Sequence, residues 1–415
     1  QGGEPSRPAP PAMAGNPAVL RFIEAEPGSS QYLPMLEAEF GGQLGKPLDP
    51  AALAARIVDV YGRGLFEQLD YQPVTRPDGE SGLRFTARRK SWGPNYLRFG
   101  LSLQDDFEGN STFNAAMRAS FTELNRLDGE AVLDLQVGAS PRAALELYQP
   151  LSLQHRWFVA PHIQGNAHDL PQLEGGRQVG NYRVRTFEYG LDLGRALRSW
   201  GELRAGLIDS RGSTIVRLGD FSVPETSYHA YAGFLRFGYD RLDSANFPRH
   251  GQALTLNLRF EDTRRGARGS DEFSLDWRGA WTHGKHTGML WFSGGTTIGG
   301  SDANVRTWFP LGGFLNLSGL GAQTLAGPHY AIARALYLRS VGNGGEGILN
   351  VPAYAGVSLE FGNTWAQRSD ARFGNLHRDA ALLFGADTFL GPAYIAAGYD
   401  DVGSSAFYLF LGRSL

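Results

Sequence analysis

The residues that could carry out chemistry are scattered through this 415-residue chain, and none of them forms a familiar catalytic pattern. There are nine histidines and no cysteine, so a zinc–thiolate site and a cysteine nucleophile are excluded. His155, His162 and His168 are close in sequence, but they fall on one predicted strand and its preceding turn with differing parity. We therefore predict neither a bound metal nor a cofactor.

A hydrolase would need an activated serine. The sequence contains no G-x-S-x-G nucleophile elbow and no phosphate-binding loop of the Walker type. Ser102, Ser120 and Ser293 lie within predicted strands, and no histidine or carboxylate is spaced to activate them. We therefore expect no catalytic residue in this chain. The net charge of −3 also argues against nucleic acid as a partner, since nucleic-acid binding requires a basic excess.

Most of the chain alternates between apolar and polar residues, which is the pattern of a β-strand with two different faces. Ala253–Glu261 shows this alternation most clearly, and Ala131–Val137 repeats it. About sixteen such segments follow one another between Tyr96 and Leu415. Ile215–Phe221 is either a further strand or the upper part of the seventh one.

Two architectures could use so many strands. A soluble protein would divide them into sandwiches or propeller blades and would show a sequence repeat, which is absent here. A membrane barrel instead closes every backbone hydrogen bond and turns apolar residues outward and polar residues inward. The polar set contains charges that suit a wet lumen, namely Asp134, Arg259, Glu261, Asp276 and Arg278. We therefore predict a mostly β fold with a 16-stranded antiparallel transmembrane β-barrel over residues 96–415, in contact with a lipid bilayer.

The first 95 residues have a different composition. Gln1–Asn16 is rich in proline and glycine and is expected to be a linker, so a further domain could precede it. Residues 17–95 predict a small α+β domain with the order β-α-α-β-β. The predicted elements are Ala18–Ala25, Gln31–Phe40, Pro50–Arg63, Asp70–Arg76 and Ser81–Arg89. Val19–Ile23 and Leu83–Ala87 are the candidates for open sheet edges.

Three local patterns within the barrel segment predict elements of function or assembly. In the turn Asp243–Gly251, an aspartate can cap the turn, and a glycine restarts the next strand. The long segment 299–329 has an apolar, glycine-rich and uncharged centre, Leu311–Gly327, which we expect to fold inside the protein because water suits it poorly. The apolar strand that ends at Leu415 can close the barrel against the first strand.

These patterns resemble the POTRA–barrel superfamily of outer-membrane assembly and two-partner-secretion proteins. Residues 17–95 resemble one POTRA module, which the resemblance places in the periplasm of a Gram-negative bacterium. The family's D-x-x-x-F-P-x-x-G turn is matched by Asp243, Phe247, Pro248 and Gly251. The C-terminus resembles the family's outer-membrane insertion signal, carried here by Phe407, Leu409, Leu411 and Leu415. Leu415 replaces the commoner terminal aromatic residue.

The segment Leu311–Gly327 resembles the family's sixth extracellular loop, which folds into the lumen. Its motif residues are Gly312, Gly313, Phe314, Leu317, Ser318, Gly319 and Leu320. The family's V-R-G-F/Y tip falls on the last four of these, so that Ser318 replaces an arginine and Leu320 an aromatic residue. We therefore expect the backbone and neutral Ser318 hydrogen bonds, worth roughly 0.5–1.5 kcal/mol each, to hold the tip. Ser318→Ala should then be mild and Gly319→Val disruptive.

One POTRA-like module, a barrel and a proline-rich stub together resemble the patatin-like phospholipase autotransporters of type Vd secretion. The resemblance implies an outer-membrane translocator for a covalently attached N-terminal passenger, a patatin-like lipase that is absent from this chain. It also implies barrel-assembly machinery and periplasmic chaperones as partners. One alternative is a two-partner-secretion transporter for a separate exoprotein, which usually carries two POTRA modules and a plug helix. The other is a passive porin-like channel, which needs no POTRA-like domain.

Overall fold

The computed structural model describes residues 19–61, 66–89, 95–105, 111–174, 177–218, 226–265, 269–299, 307–342, 351–388 and 391–412. Within these residues a small α+β unit is followed by a closed β-barrel. The predicted linker Gln1–Asn16 and the terminal residue Leu415 lie outside the described residues.

The N-terminal unit has the predicted element order β-α-α-β-β. Its elements are β1 (Leu20–Ala25), α1 (Leu33–Phe40), α2 (Pro50–Tyr61), β2 (Phe66–Thr75) and β3 (Ser81–Arg89), with short 3₁₀ turns at Pro27–Tyr32 and Gly41–Gln43. Helix α2 begins at an N-cap, since Asp49 Oδ1 accepts hydrogen bonds from the N–H groups of Ala51 and Ala52, both at 3.0 Å. The helices bury Leu36, Phe40 and Leu53 against Phe66, Leu83 and Phe85 of the sheet. None of the described helices is long and apolar enough to cross a membrane.

The three strands of this unit lie in the order β1-β3-β2, with β1 parallel and β2 antiparallel to β3. The prediction that Leu83–Ala87 forms an edge is therefore wrong, because that segment belongs to the central strand. At β1, the edge is partly covered, since Gly45 N–H donates to the carbonyl of Leu20 at 2.8 Å. Among the described residues β2 pairs only with β3, which makes β2 the longer open edge. Pro73 removes one backbone donor from this edge.

The rest of the described chain forms the barrel and one short hairpin. In chain order the strands are β4 (Asn95–Asp105), β5 (Ser111–Phe121), β6 (Glu130–Gly138), β7 (Arg142–Pro150), β8 (Trp157–Glu174), β9 (Arg177–Ala196), β10 (Gly201–Leu218), β11 (Thr226–Asp240), β12 (Gly251–Arg265), β13 (Asp271–His283), β14 (His286–Ile298), β15 (Phe309–Leu311), β16 (Leu325–Gly327), β17 (His329–Ser340), β18 (Ala353–Trp365), β19 (His377–Thr388), β20 (Gly391–Asp400) and β21 (Ser405–Gly412).

All of these strands except β15 and β16 form one closed antiparallel barrel of 16 strands, which confirms the predicted fold class. The last strand closes it: β21 pairs with β4, from Phe407 opposite Asp105 to Gly412 opposite Gly100. Ile215 belongs to β10, so it continues the seventh barrel strand and is not a separate strand. We call the end at which the chain enters β4 the entry end and the opposite end the loop end.

The two faces of the barrel wall differ as the alternation predicts. The outer face carries large apolar side chains that are strongly exposed, such as Leu207 at 72% and Leu382 at 69%. The inner face buries charged side chains, including Asp134, Glu188 and Asp192. An apolar belt around a polar interior is the arrangement of a barrel that spans a bilayer.

The neighbours Leu207 and Ile208 test this assignment, because Ile208 lines a cavity inside the lumen. An arginine that faces hydrocarbon costs about 2–4 kcal/mol at the bilayer midplane and less near the surfaces. We expect Leu207→Arg to lower the free energy of unfolding by about 2–4 kcal/mol. We expect Ile208→Arg, which faces the lumen, to lower it by about 1 kcal/mol or less. Urea titration in lipid vesicles, with faster gel migration of the unboiled protein as the marker of folding, measures both. Equal losses, or full solubility without detergent, would contradict the membrane-spanning barrel.

Candidate functional site

The connection between β14 and β17 folds back inside the barrel. Strands β15 and β16 pair to form the base of an inward loop, from Phe309 opposite Gly327 to Leu311 opposite Leu325. Leu311, Leu317 and Leu320 of the loop are buried together with Ile332 of β17. The apolar side chains of this segment are therefore buried in contact with an apolar residue of the inner wall.

A row of charged residues crosses the inner wall at the level of the loop tip. Arg334, Glu360, Asp379 and Asp400 are successive cross-strand partners on β17, β18, β19 and β20. Their exposed fractions are 7%, 0%, 3% and 0%. Burying a carboxylate costs free energy unless hydrogen-bond donors surround it. The carboxylates of this row therefore require hydrogen-bond donors inside the lumen.

The loop tip supplies those donors. Glu360 Oε2 accepts from the backbone N–H groups of Leu317 at 2.7 Å and Ser318 at 2.9 Å. Glu360 Oε1 accepts from the hydroxyls of Ser318 at 2.6 Å and of Ser358 at 2.7 Å. The N–H of Gly319 donates to Asp379 Oδ2 at 2.6 Å. The tip is thus held by backbone groups and Ser318 as expected, but these bonds are charge-assisted and not neutral, because the acceptors are carboxylates.

The tip also lies very close to the backbone of β20. A Cβ atom at Gly398 would come within 1.8 Å of the carbonyl oxygen of Ser318, and one at Gly319 would come within 2.2 Å of the amide nitrogen of Asp400. Both positions therefore require glycine. The hydroxyl of Tyr408 on β21 lies 2.8 Å from the carbonyl oxygen of Ser318 and 2.9 Å from that of Leu320, so the tip contacts the closing strand as well.

The conformation of the loop is strained. Leu315 has φ 53° and Leu317 has φ 73°, in the left-handed region that costs a non-glycine residue of the order of 1–3 kcal/mol. Gly312 and Gly313 reach φ 112° and 114° without this cost. The carboxylate contacts therefore maintain a backbone conformation that the loop would not adopt by itself.

A second contact comes from Arg334, the cation in the row. Its Nη2 donates to Asn316 Oδ1 of the loop at 2.8 Å, and its Nη1 donates to Ser293 Oγ at 2.8 Å. The guanidinium lies 4.4 Å from the ring centroid of Trp291. Ser293 in turn donates to Asp276 Oδ2 at 2.6 Å. In this chain the arginine that binds the loop is therefore on the wall, whereas the family motif quoted above has its arginine at the loop tip, where this chain has Ser318.

The turn Asp243–Gly251 lies at the entry end and reaches into the lumen. Asp243 Oδ1 accepts from the N–H groups of Arg249 at 2.8 Å and His250 at 3.1 Å. Burial raises the pKa of Asp243, but these hydrogen bonds outweigh it and hold the pKa below its usual value. Gly251 has φ 106°, which explains the glycine at the end of the turn. Phe247 is buried and stacks on Tyr354 at a centroid distance of 4.6 Å.

Tyr394 of β20 joins the three sequence patterns. Its ring lies 5.0 Å from that of Phe247 in the turn and 5.8 Å from that of Phe314 in the loop. Phe314 lies 5.4 Å from Phe410 of the terminal strand. Beside this cluster is a cavity of about 490 Å³, which Pro248 also lines. The turn, the loop and the last strand therefore meet in one aromatic cluster at the entry end of the lumen.

The terminal strand shows both faces of the wall. Leu409 is 37% exposed on the outer face, whereas Tyr408 is fully buried on the inner face. Phe407 and Leu411 pair with Asp105 and Leu101 of β4.

The opposite half of the lumen, lined by β5 to β13, is charged and partly open. Arg118 binds Asp134 through two hydrogen bonds of 2.6 and 2.7 Å. Arg259 lies 3.1 Å from Glu188 and 3.3 Å from Glu261. A cavity of about 500 Å³ lies among these side chains. The lumen therefore has a half filled by the inward loop and a charged half that contains a cavity.

The histidines and serines noted in the sequence remain separate. His155 precedes β8, and His162 and His168 are about 20 Å apart along that strand at ~3.3 Å per residue. Ser293 contacts Asp276 and Arg334, and no histidine contacts Ser102, Ser120 or Ser293 within the described ranges.

One group of possible metal-ligand side chains occurs among the described residues. The ligand atoms of His377, Asp400 and Asp401 lie within 4.8 Å of one another. Asp400 already binds His377 Nδ1 at 2.9 Å and the N–H of Val402 at 2.6 Å. The first of these hydrogen bonds accounts for the proximity of His377 and Asp400.

Sequence reasoning missed the wall residues that hold the loop: Arg334, Glu360, Asp379, Gly398 and Tyr408. The signal in the sequence for Glu360 is a charge at an inward position of an otherwise uncharged strand. That Glu360 meets the tip depends on the strand register, since it lies 42 residues from Ser318 in sequence.

Three solved structures share this fold over nearly the whole chain. "BamA from Haemophilus ducreyi lacking POTRA domains 1-3" aligns with a TM-score of 0.66 at 12% identity and covers 97% of this chain and 86% of that one. CdiB from Acinetobacter baumannii gives 0.61 at 12% identity, with 95% and 74% covered. CdiB from Escherichia coli gives 0.60 at 13% identity, with 96% and 77% covered. No family model and no curated protein matches the sequence. At these identities the likeness establishes a shared fold.

Ser318 and Ser358 form a matched pair, because both hydroxyls donate to the same oxygen of Glu360 but only Ser318 belongs to the loop. Ser318→Ala also leaves the N–H of Leu315 without its acceptor. The expectation that Ser318→Ala is mild is therefore revised, because the lost bonds include one to a carboxylate. We expect Ser318→Ala to cost about 2–4 kcal/mol and Ser358→Ala about 1–3 kcal/mol of unfolding free energy. Single-channel conductance in a planar bilayer should rise only in Ser318→Ala. A rise of equal size in both variants would show that the tip does not depend on its own contact with Glu360.

Proposed function

We propose that this chain is the translocator half of an outer-membrane secretion protein. In this proposal the N-terminal unit is a POTRA module in the periplasm, the barrel spans the outer membrane, and a passenger domain precedes Gln1 on the same polypeptide. The observation that carries it is the combination of a sheet with an open edge and a barrel whose lumen is half filled by an anchored loop.

The open edge of β2 supports the capture of an unfolded passenger. An extended chain can add a strand to such an edge through main-chain hydrogen bonds, with little demand on its sequence. The described part of β2 spans Phe66–Thr75 and faces no other strand on that side. Pro73 leaves one position without a donor, and the register shifts between Phe66 and Gln68, so the segment Gln68–Gln72 offers the continuous part of this edge.

The charged half of the lumen supports passage of that chain across the membrane. Paired side chains such as Arg118 and Asp134 keep this half hydrated, so that backbone groups in transit can bond to water or to the wall. The other half is filled by the anchored loop, whose contacts occupy the charged side chains of the wall there. We infer that the passenger passes along the charged half, and that folding of the passenger outside supplies the free energy.

The proline-rich stub Gln1–Asn16 supports a covalently attached passenger, because such linkers join domains. By the type Vd resemblance this passenger is a patatin-like lipase, and the translocator chain itself is not an enzyme. Barrel-assembly machinery and periplasmic chaperones would be its partners during insertion.

A two-partner-secretion transporter for a separate exoprotein is the second candidate, and the fold likeness to two CdiB structures favours it. The first candidate requires a covalent link between the passenger and the translocator, and the second does not. A passive porin-like channel is the weaker alternative, because a porin has no use for an open-edged domain ahead of the barrel.

Secretion by the full-length parent tests this proposal. We expect deletion of residues 312–324, within the inward loop, to abolish appearance of the passenger at the cell surface and to raise conductance. Deletion of residues 219–225, between β10 and β11 in the sequence, is the matched control and should leave both unchanged. Surface protease accessibility measures secretion. Normal secretion by the 312–324 deletion would contradict the proposal. Efficient secretion of the passenger as a separate chain would favour the two-partner candidate.

A further inference from the structure

A groove lies on the outer face of the barrel near the loop end. Its floor is made of small outward residues, namely Gly294 on β14 and Ala331 and Ala333 on β17. Gly294 pairs with Ala331, and the next outward position joins Phe292, Ala333 and Phe361 across three strands. The row of Gly294 and Ala331 therefore has no large side chain at these two positions. In the neighbouring row, Ala333 lies between two phenylalanines.

The connection between β18 and β19 covers this groove. It folds back over the outer wall, where Asn375 Oδ1 accepts from Trp365 Nε1 at 3.3 Å and the carbonyl of Asn375 accepts from Asn363. Phe373 of the connection lines the groove and is itself 91% exposed. The groove is open on one side and has a volume of about 670 Å³, within the ~300–1,000 Å³ typical of ligand sites.

The position of the groove indicates what fills it. Its walls continue the apolar belt, so hydrocarbon surrounds it when the barrel is in a bilayer. If the groove were empty, the residues that line it would lack dispersion contacts. The acyl chains of the surrounding lipids are the groups that can make these contacts. Hydrocarbon alone does not select one lipid, because the bulk bilayer is equally apolar. Selection requires the head group.

Two guanidinium groups lie on the same connection. Arg372 lines the groove, and Nη2 of Arg368 lies 3.5 Å from the carbonyl oxygen of Thr297 at the top of β14. Guanidinium groups bind phosphate through paired, charge-assisted hydrogen bonds. An apolar groove below two such cations matches a lipid with acyl chains and two phosphates.

We propose that this groove binds an acyl chain of bisphosphorylated lipid A and that Arg372 and Arg368 bind its phosphates. The proposal rests on the outer-membrane location proposed above, which places the loop end in the leaflet built from this lipid. The bound lipid would hold the β18–β19 connection against the wall, beside the strands that carry Glu360 and Asp379.

Lipid binding to the full chain in detergent micelles tests this site, with native mass spectrometry as the measurement. The probes are bisphosphorylated lipid A, its dephosphorylated form and phosphatidylglycerol. We expect Ala331→Phe, which fills the groove, and Arg372→Gln each to weaken binding of bisphosphorylated lipid A by about tenfold. Ala335→Phe is the matched control on the same strand and face, between Leu290 and Leu359, and should bind as the wild type does.

Faster gel migration of the unboiled protein confirms that each variant is folded, and Arg372→Gln, on an exposed loop, keeps the test valid if Ala331→Phe does not fold. Equal binding by Arg372→Gln and the wild type would overturn the proposal. So would equal affinity for phosphatidylglycerol or for the dephosphorylated lipid. Because the lipid assay involves no passenger, normal secretion by the 312–324 deletion together with normal lipid binding would contradict only the secretion proposal.

Discussion

The inward loop stays in the lumen because buried carboxylates of the wall bind the N–H groups of its tip. Glu360 has four donors, of which three come from Leu317 and Ser318. A carboxylate in this position would be strongly destabilising without them, so loop and wall stabilise each other. The same contacts maintain the left-handed backbone at Leu317, which is otherwise unfavourable.

Several features of the barrel follow from this contact. Gly398 must lack a side chain for the tip to approach β20, and Tyr408 must point inward to reach the tip from the closing strand. Phe314 then lies against Tyr394, which also packs on Phe247 of the entry-end turn. The loop, the turn and the terminal strand thus stabilise the same side of the barrel, and the charged side is left open for transport in our proposal.

The sequence predicted well the features that depend on local periodicity. Strand count and facing come from an alternation of two residues, and the start of the second helix at Pro50 comes from local spacing. The misplaced sheet edge at Leu83–Ala87 arose because strand order is a non-local property. The partners of Ser318 were missed for the same reason: Glu360 and Asp379 lie on later strands, and only the register brings them together. The sequence identifies Ser318 as a residue of the loop tip, but it does not show that its hydrogen-bond acceptor is a carboxylate.

Hydrogen exchange at the loop tip tests the central claim most directly. Gly398→Ala places a methyl group where the carbonyl of Ser318 lies, whereas Gly294→Ala adds one on the outer wall, where the nearest atom is 3.5 Å away. The account predicts that amides 315–320 exchange slowly in the wild type and in Gly294→Ala, and much faster in Gly398→Ala. Equally slow exchange in Gly398→Ala, or fast exchange in the wild type, would show that the wall does not hold the tip.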